Sequence, residues 1–341
     1  MLRDRGAEVL FVGAMGRGDA RLVESAGYEI RYLKVSALSR SNPFKALAAV
    51  GRAVLAVPHA RKLLREWGAD AAIGAGGYVA APVGVAAATL GVPLILTEAD
   101  THLGVTNRLL ARWAKRICLA FPIAGYDDDR YIVTGRPVRA TATPEEAAKM
   151  RAKYGFTAAD TVLVAVGGSQ GARSINRATL AAFASSDRSI KVLHVAGRRD
   201  FAELQAELES KGRPAHYRLV DFIDDFDKTL AVADLVVARA GASLFELAAA
   251  GKPSILVPYP YATGQHQRRN AQWMAAAGAA VVIEDEELDA SRLRAEVERL
   301  LNDRVQLAAM AAAARRVAKP DAAERVALST LAAAGTLQSN G

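Results

Sequence analysis

Cysteine is nearly absent: the 341 residues hold one, Cys118. A lone thiol excludes a disulfide framework and any all-cysteine metal site, and it fits a reducing compartment. Histidine is scarce too, with five residues and no H-x-x-x-H spacing. No metal and no cofactor is therefore expected. No apolar core follows the charges of Met1-Leu-Arg-Asp-Arg-Gly6, so no signal peptide is read. Long apolar spans are also lacking. The 27 uncharged residues between Asp70 and Glu98 could cross a bilayer by length, but glycines at 74, 76, 77, 84 and 91 and prolines at 82 and 93 cut them into strand and short-helix lengths.

What is present is ordinary globular material, 51% hydrophobic and 23% charged, in a length that predicts two domains. The net charge of +8 is uneven, because residues 1–140 carry 19 Lys+Arg against 12 Asp+Glu. A basic amino-terminal half suggests an anionic partner: nucleic acid, a lipid headgroup or a phosphorylated substrate. A plainly solvated surface is the competing reading.

Strand and helix signals alternate along the chain, which predicts α/β layers around parallel sheets. A long helix is expected over Asn42–Trp67 and another over Thr101–Ala114. A polar run from Thr141 to Glu146 reads as an interdomain connection, after which the alternation restarts. The expected division is 1–140, 141–320, and a carboxyl-terminal helix and tail at 321–341. At the amino terminus, Leu2–Arg5 with Gly6 reads as the last turn of a helix, followed directly by a strand. A doubly wound domain starts instead with a strand and a glycine-rich turn. The first domain is therefore expected to lack its first strand–loop–helix.

Four segments sit where strands pass into helices. Gly167-Gly168-Ser169-Gln170-Gly171 combines close backbone approach with a helix amino terminus, a setting that suits phosphate. Arg239 to Glu246 offers a second such terminus and a carboxylate able to accept two hydrogen bonds from a ribose diol. Tyr259 to Ala271 carries Gln267 and Asn270, whose amides suit sugar hydroxyls. In the first half, Gly76-Gly77-Tyr78 and Thr97-Glu98-Ala99-Asp100-Thr101-His102 follow neighbouring strands. Glu98, Asp100 and His102 are candidate acid–base groups. Each motif also has a plain reading as a tight turn or a helix cap.

These strings together resemble the MurG-type glycosyltransferases. The match extends through Gly135-Arg136-Pro137-Val138-Arg139, Phe222-Ile223-Asp224-Asp225 and Glu246 to Gly251, and so covers nearly the whole chain. The resemblance implies the GT-B architecture, two Rossmann-like doubly wound domains facing a cleft. It implies inverting transfer of N-acetylglucosamine from UDP-N-acetylglucosamine to lipid I, giving lipid II for peptidoglycan. The enzyme would be peripheral at the cytoplasmic face of the cell membrane, without nucleic acid. In and just before Asn42–Trp67, Phe44, Leu47, Val50, Val54 and Val57 among Arg40, Lys45, Arg52, Arg61, Lys62 and Arg65 suit an anionic surface, the competing reading being a core-packed helix with a solvated basic face. By resemblance, Ser169 would hold the diphosphate and Ile223 the uracil. Ala242, Ser243, Leu244, Phe245 and Glu246 would span phosphate and ribose. Gln267 and Asn270 would read the sugar, and Arg139 would lie near the domain junction. Asp100 stands where many members have Asn.

Some features depart from the pattern. The family's Gly-Gly-Thr-Gly-Gly-His loop has no counterpart, and the turn before Glu246 is one residue short. The alternatives are therefore a catalytically incomplete chain that only binds UDP-sugar or lipid, and a related UDP-sugar enzyme such as an epimerase. A nicotinamide oxidoreductase is disfavoured, because the glycines lack G-x-G-x-x-G spacing.

Overall fold

The computed structural model describes residues 1–15, 23–36, 43–168, 171–185 and 190–335. They fall into two compact units, Met1–Pro137 with Asp321–Gly341, and Val138–Pro320.

In the first unit, β1 (Leu10–Ala14) pairs in parallel with β2 (Glu29–Leu33). Four further parallel strands follow in spatial order: β3 (Ala72–Gly74), β4 (Leu94–Glu98), β5 (Ala114–Leu119) and β6 (Tyr131–Val133). Arg3–Arg5 form one 3-10 turn, which Gly6 closes at φ 83°. Helix α1 spans Pro43–Trp67 and α2 spans Gly77–Leu90. The uncharged stretch after Asp70 thus becomes strand, turn, helix and strand, and no helix among the described residues is long and apolar enough to cross a membrane.

Helix α3 is shorter than the pattern predicts. It covers only Val105–Leu110, with a 3-10 turn at Ala111–Trp113, rather than Thr101–Ala114. The reason is local: the loop before it is tied to a carboxylate, so its N–H groups are spent outside a helix.

The second unit has one six-stranded sheet. Its strands are β7 (Thr161–Val166), β8 (Ile190–Val195), β9 (Tyr217–Val220), β10 (Leu235–Ala238), β11 (Ser254–Leu256) and β12 (Ala280–Val282). All pairings are parallel, in the order β12-β11-β10-β7-β8-β9. The chain first works outward from β7 to β9, then returns to start again at β10 on the other side. That reversal makes the carboxyl ends of β7 and β10 a crevice where such sheets bind ligands.

The polar run before this sheet is more than a connection. Thr143 Oγ1 accepts from Glu146 N at 3.2 Å and Glu146 accepts from Thr143 N at 3.0 Å, a capping box that starts α4 (Pro144–Lys153).

Around the sheet lie α5 (Arg173–Phe183), α6 (Phe201–Ser210), α7 (Phe226–Leu230), α8 (Leu244–Ala249), α9 (His266–Ala276), α10 (Ala290–Asn302) and α11 (Arg304–Val317). The core joins strand residues such as Leu163, Val192 and Val237 to Ile175, Val297 and Leu300 from the helices. Helix α12 (Ala322–Ala334) belongs to the first unit, where Val326 packs on Ile95 and Cys118.

Candidate functional site

A pocket of about 1040 Å³ opens at the carboxyl ends of β7 and β10. Its floor depends on glycine. A Cβ on Gly167 would stand 2.1 Å from Ala172 N, and one on Gly171 would stand 2.3 Å from Ala196 O. Gly168 and Gly171 also hold φ of 82° and 76°. Glycine alone meets these demands, and the result is a turn that feeds the amino end of α5 toward the pocket. Ser169 and Gln170 lie outside the described residues.

Ile223, Ala242, Ser243, Glu246 and Gln267, all singled out from the sequence, line this pocket. Leu244 and Phe245 do not. Both are buried, and the Phe245 ring packs 6.3 Å from that of Trp273. Helical spacing explains the split: Ala242, Ser243 and Glu246 lie three and four apart on one face, and the two apolar residues turn to the core. Only the backbone of Leu244 and Phe245 is suited to the role expected of them.

Asn270 does not line the pocket either. It is buried, and its Nδ2 donates to Ala240 O at 3.2 Å, so it props the turn below the pocket. Gln267 accepts from Tyr259 N at 3.0 Å through Oε1, which leaves its NH2 beside Gly241. Arg139 is exposed and does not line the pocket; its Nη1 lies 3.4 Å from Asp224 O and 3.6 Å from Asp227 Oδ1.

Other lining residues were given no role of their own by the sequence. Arg239 Nη1 donates to Asp285 Oδ1 at 2.6 Å and to the Val257 and Pro258 carbonyls. Its Nη2 reaches Ser174 Oγ at 2.9 Å, and Ser174 donates in turn to Asp285 at 2.5 Å. This ion pair fastens the ends of β10, β11 and β12 to the start of α5, and the Arg239 guanidinium lies 5.4 Å from the centre of the Tyr259 ring. Arg199 also lines the pocket, paired with Asp200. Hydrogen bonds from Arg199 hold the Asp200 carboxyl below its ordinary value. Arg199 and Asp285 each follow a parallel strand, which is the signal that could have found them.

The first unit has its own strand-end cluster. Glu98, at the end of β4, is 8% exposed. Oε1 accepts from Ala99 N at 2.9 Å and Asp100 N at 3.2 Å, and Oε2 accepts from Gly104 N at 2.8 Å and Asn107 Nδ2 at 2.9 Å. Four donors saturate the carboxylate. Glu98 therefore holds the loop, and this geometry does not suit the proton acceptor that its position suggested. Asp100 is half-buried in the same loop. Thr101 Oγ1 and His102 Nδ1 are buried there with no hydrogen-bond partner among the described residues. Gly76 and Gly77, at φ 76° and 72°, start α2 close by, with a Gly76 Cβ position 3.6 Å from Asn107 Nδ2. Among the described residues no group of three or more His, Cys, Asp or Glu side chains could hold a metal ion.

Known proteins match along the chain. Residues 1–119 match the glycosyltransferase family 28 N-terminal domain, and residues 161–326 match the family 28 C-terminal domain. A relative from Methylococcus capsulatus is 40% identical over 339 residues, covering 98% of this chain and 93% of its own. Another, from Moorella thermoacetica, is 39% identical over 331 residues, covering 94% and 89%. Both are named UDP-N-acetylglucosamine--N-acetylmuramyl-(pentapeptide) pyrophosphoryl-undecaprenol N-acetylglucosamine transferase. The crystal structure of Acinetobacter baumannii MurG superposes with a TM-score of 0.76 at 28% identity, covering 97% of this chain and 93% of that one. A putative UDP-N-acetylglucosamine 2-epimerase from Listeria monocytogenes shares the fold alone, at 13% identity and a TM-score of 0.66 over 97% of this chain and 98% of that one. The chain belongs to glycosyltransferase family 28 and, within it, to the MurG-type N-acetylglucosaminyltransferases.

Proposed function

We propose that this chain transfers N-acetylglucosamine from UDP-N-acetylglucosamine to lipid I, forming lipid II with inversion at the anomeric carbon. The observation that carries the reading is the pocket at the β7/β10 reversal, where two glycine-bearing turns, Glu246 and Gln267 face one space. In it, the N–H groups at the start of α5 and Ser169 would take the diphosphate. Ile223 would meet the uracil, Ala242 to Glu246 the phosphate and ribose, and Gln267 the sugar. Helix amino termini and loop N–H groups stabilise the negative charge that grows on the departing UDP.

The acceptor hydroxyl must also lose a proton. Asp100 and His102 are the groups proposed for this, because Glu98 is occupied and His102 Nδ1 is buried without a partner among the described residues. Arg139 is proposed to act near the junction at Pro137–Val138, where the two units divide.

The enzyme would work as a peripheral protein on the cytoplasmic face of an anionic membrane. Helix α1 supports this: Phe44 is 83% and Leu55 79% exposed, and Leu47, Val50 and Val54 are exposed as well. Arg52, Arg61, Lys62 and Arg65 lie on the same helix. Apolar side chains among basic ones suit an anionic interface. Val57, on the same helix, packs against the core instead.

The test is transfer of labelled N-acetylglucosamine from its UDP donor to a lipid I analogue, with the chain as it stands. Product is the expected result. UDP binding without product would favour the catalytically incomplete reading. Flotation with anionic vesicles tests the membrane: the protein should float, and Leu47→Glu with Leu55→Glu should lower the floated fraction at least about fivefold without affecting stability.

A further inference from the structure

Three arginines line the pocket, and they differ in what they have left to offer. Arg239 is held by Asp285, Ser174 and two carbonyls, with its side chain only 12% exposed. Arg173 pairs with Glu203 in an exposed contact, the kind that holds a long side chain only loosely. Arg199 is different on both counts. Its Nε and Nη2 fork onto Asp200, at 2.9 Å to Oδ1 and 3.2 Å to Oδ2. The fork occupies one edge of the guanidinium, and the Nη1 edge has no partner among the described residues. The Arg199 side chain is 59% exposed while that of Asp200 is 9% exposed, so the acid is the fixed member and the arginine the presented one.

Asp200 is fixed from below. Asn176 Nδ2 donates to Asp200 Oδ2 at 3.1 Å and to Ala196 O at 2.8 Å. Both amide hydrogens are thereby spent, so Asn176 Oδ1 can only accept. His194 Nε2, 3.0 Å away, must be its donor. His194 Nδ1 then carries the lone pair, and the Tyr217 hydroxyl, 2.7 Å away, donates to it. Asn176 and His194 are buried, and so is Tyr217. Every proton in the chain Tyr217–His194–Asn176–Asp200–Arg199 has one consistent place. Such a fully satisfied buried network is rigid, and here its last member faces the pocket.

The sheet order says what Arg199 faces. It follows β8, which lies between β7, bearing the Gly167-Gly168 turn, and β9, leading to Ile223. Tyr259, beyond β11, lines the same pocket from the other side of the reversal. Arg198, its neighbour, is engaged elsewhere, stacked 4.8 Å from the centre of the Phe222 ring. We propose that Arg199 grips the diphosphate of the nucleotide donor through its Nη1 edge, and that Tyr217, His194 and Asn176 are positioning residues that aim it. The proposal rests on the donor reading above. An exposed arginine loses rotamer freedom when it binds an anion, and the buried chain removes that cost in advance.

Titration of the full chain with UDP and with uridine tests this. Arg199→Gln should weaken UDP about tenfold or more, the loss expected of a charge-assisted contact, and leave uridine within about twofold. Arg199→Lys should fall between. Tyr217→Phe should weaken UDP about threefold in the native background and not at all when combined with Arg199→Gln. Unchanged UDP affinity in Arg199→Gln, with wild type binding normally, overturns this proposal alone. Equal weakening of uridine overturns the diphosphate assignment, and an additive Tyr217→Phe loss overturns the aiming chain. Wild-type protein that binds neither ligand overturns the donor reading itself.

Discussion

Two strand-end clusters obey one topological rule and use it in opposite ways. Beyond β7, glycines bend the backbone, and the acids nearby are neutralised, Asp285 by Arg239 and Asp200 by Arg199. Beyond β4, a buried anion sits inside the turn itself. Glu98 consumes the N–H groups of Ala99, Asp100 and Gly104. Those three donors are spent on an internal carboxylate, whose own charge also repels an incoming phosphate. The Val138–Pro320 unit is therefore the one suited to the nucleotide, while the cluster at Glu98 presents a shaped loop carrying Asp100 and His102. Carboxyl ends of parallel strands mark where ligands bind; which charge they take depends on what already occupies the backbone donors.

The comparison breaks most easily at Gly171. Alanine there would meet Ala196 O at 2.3 Å while holding φ 76°. Gly171→Ala should destabilise its unit by about 3 kcal/mol or more and abolish UDP binding. Urea denaturation followed by UDP titration measures both. If the variant is as stable as wild type, the close approach at this turn is not required.

Glu98→Gln probes the other cluster. The replacement puts an NH2 against two donors, which should cost about 1–3 kcal/mol. Transfer should fall, with the acidic limb of its pH–rate profile kept, because the loop is disturbed and the base is elsewhere. Loss of that limb would restore Glu98 as the base.

A smaller effect separates the buried chain from its surroundings. Burial pushes His194 down from 6.5 to about 3. The unfolded chain binds this proton at a higher pH than the folded one does. The contribution is therefore complete above pH 6.5 and declines as pH falls toward about 3, by at most about 1.4 kcal/mol per pH unit. Stability measured at several pH values should lose this slope in His194→Gln relative to wild type. Parallel curves would show that His194 is not held neutral.

Much of this was legible in the residues. The alternation of strand and helix, the Gly167-Gly168 turn and the long helix ending at Trp67 depend on local pattern, and the described elements follow it closely. The pocket positions of Ile223, Ala242 and Gln267 came through motif resemblance. What the pattern missed was direction. Leu244, Phe245 and Asn270 sit in the right string, but helical geometry turns their side chains away from the pocket. Glu98 looked like a base because spacing does not reveal that four donors surround it.

The sequence by itself determined the order of the elements and the turns where glycine is obligatory, because both follow from backbone sterics and short-range periodicity. Tertiary structure alone decided which charges meet. Arg239 and Asp285 are 46 residues apart, and Ser174 and Asp285 are 111 apart. Such pairs exist only once the parallel sheet has brought the ends of strands far apart in sequence to a common edge. That is why an ion pair, a saturated carboxylate and an aimed arginine could not be read from spacing.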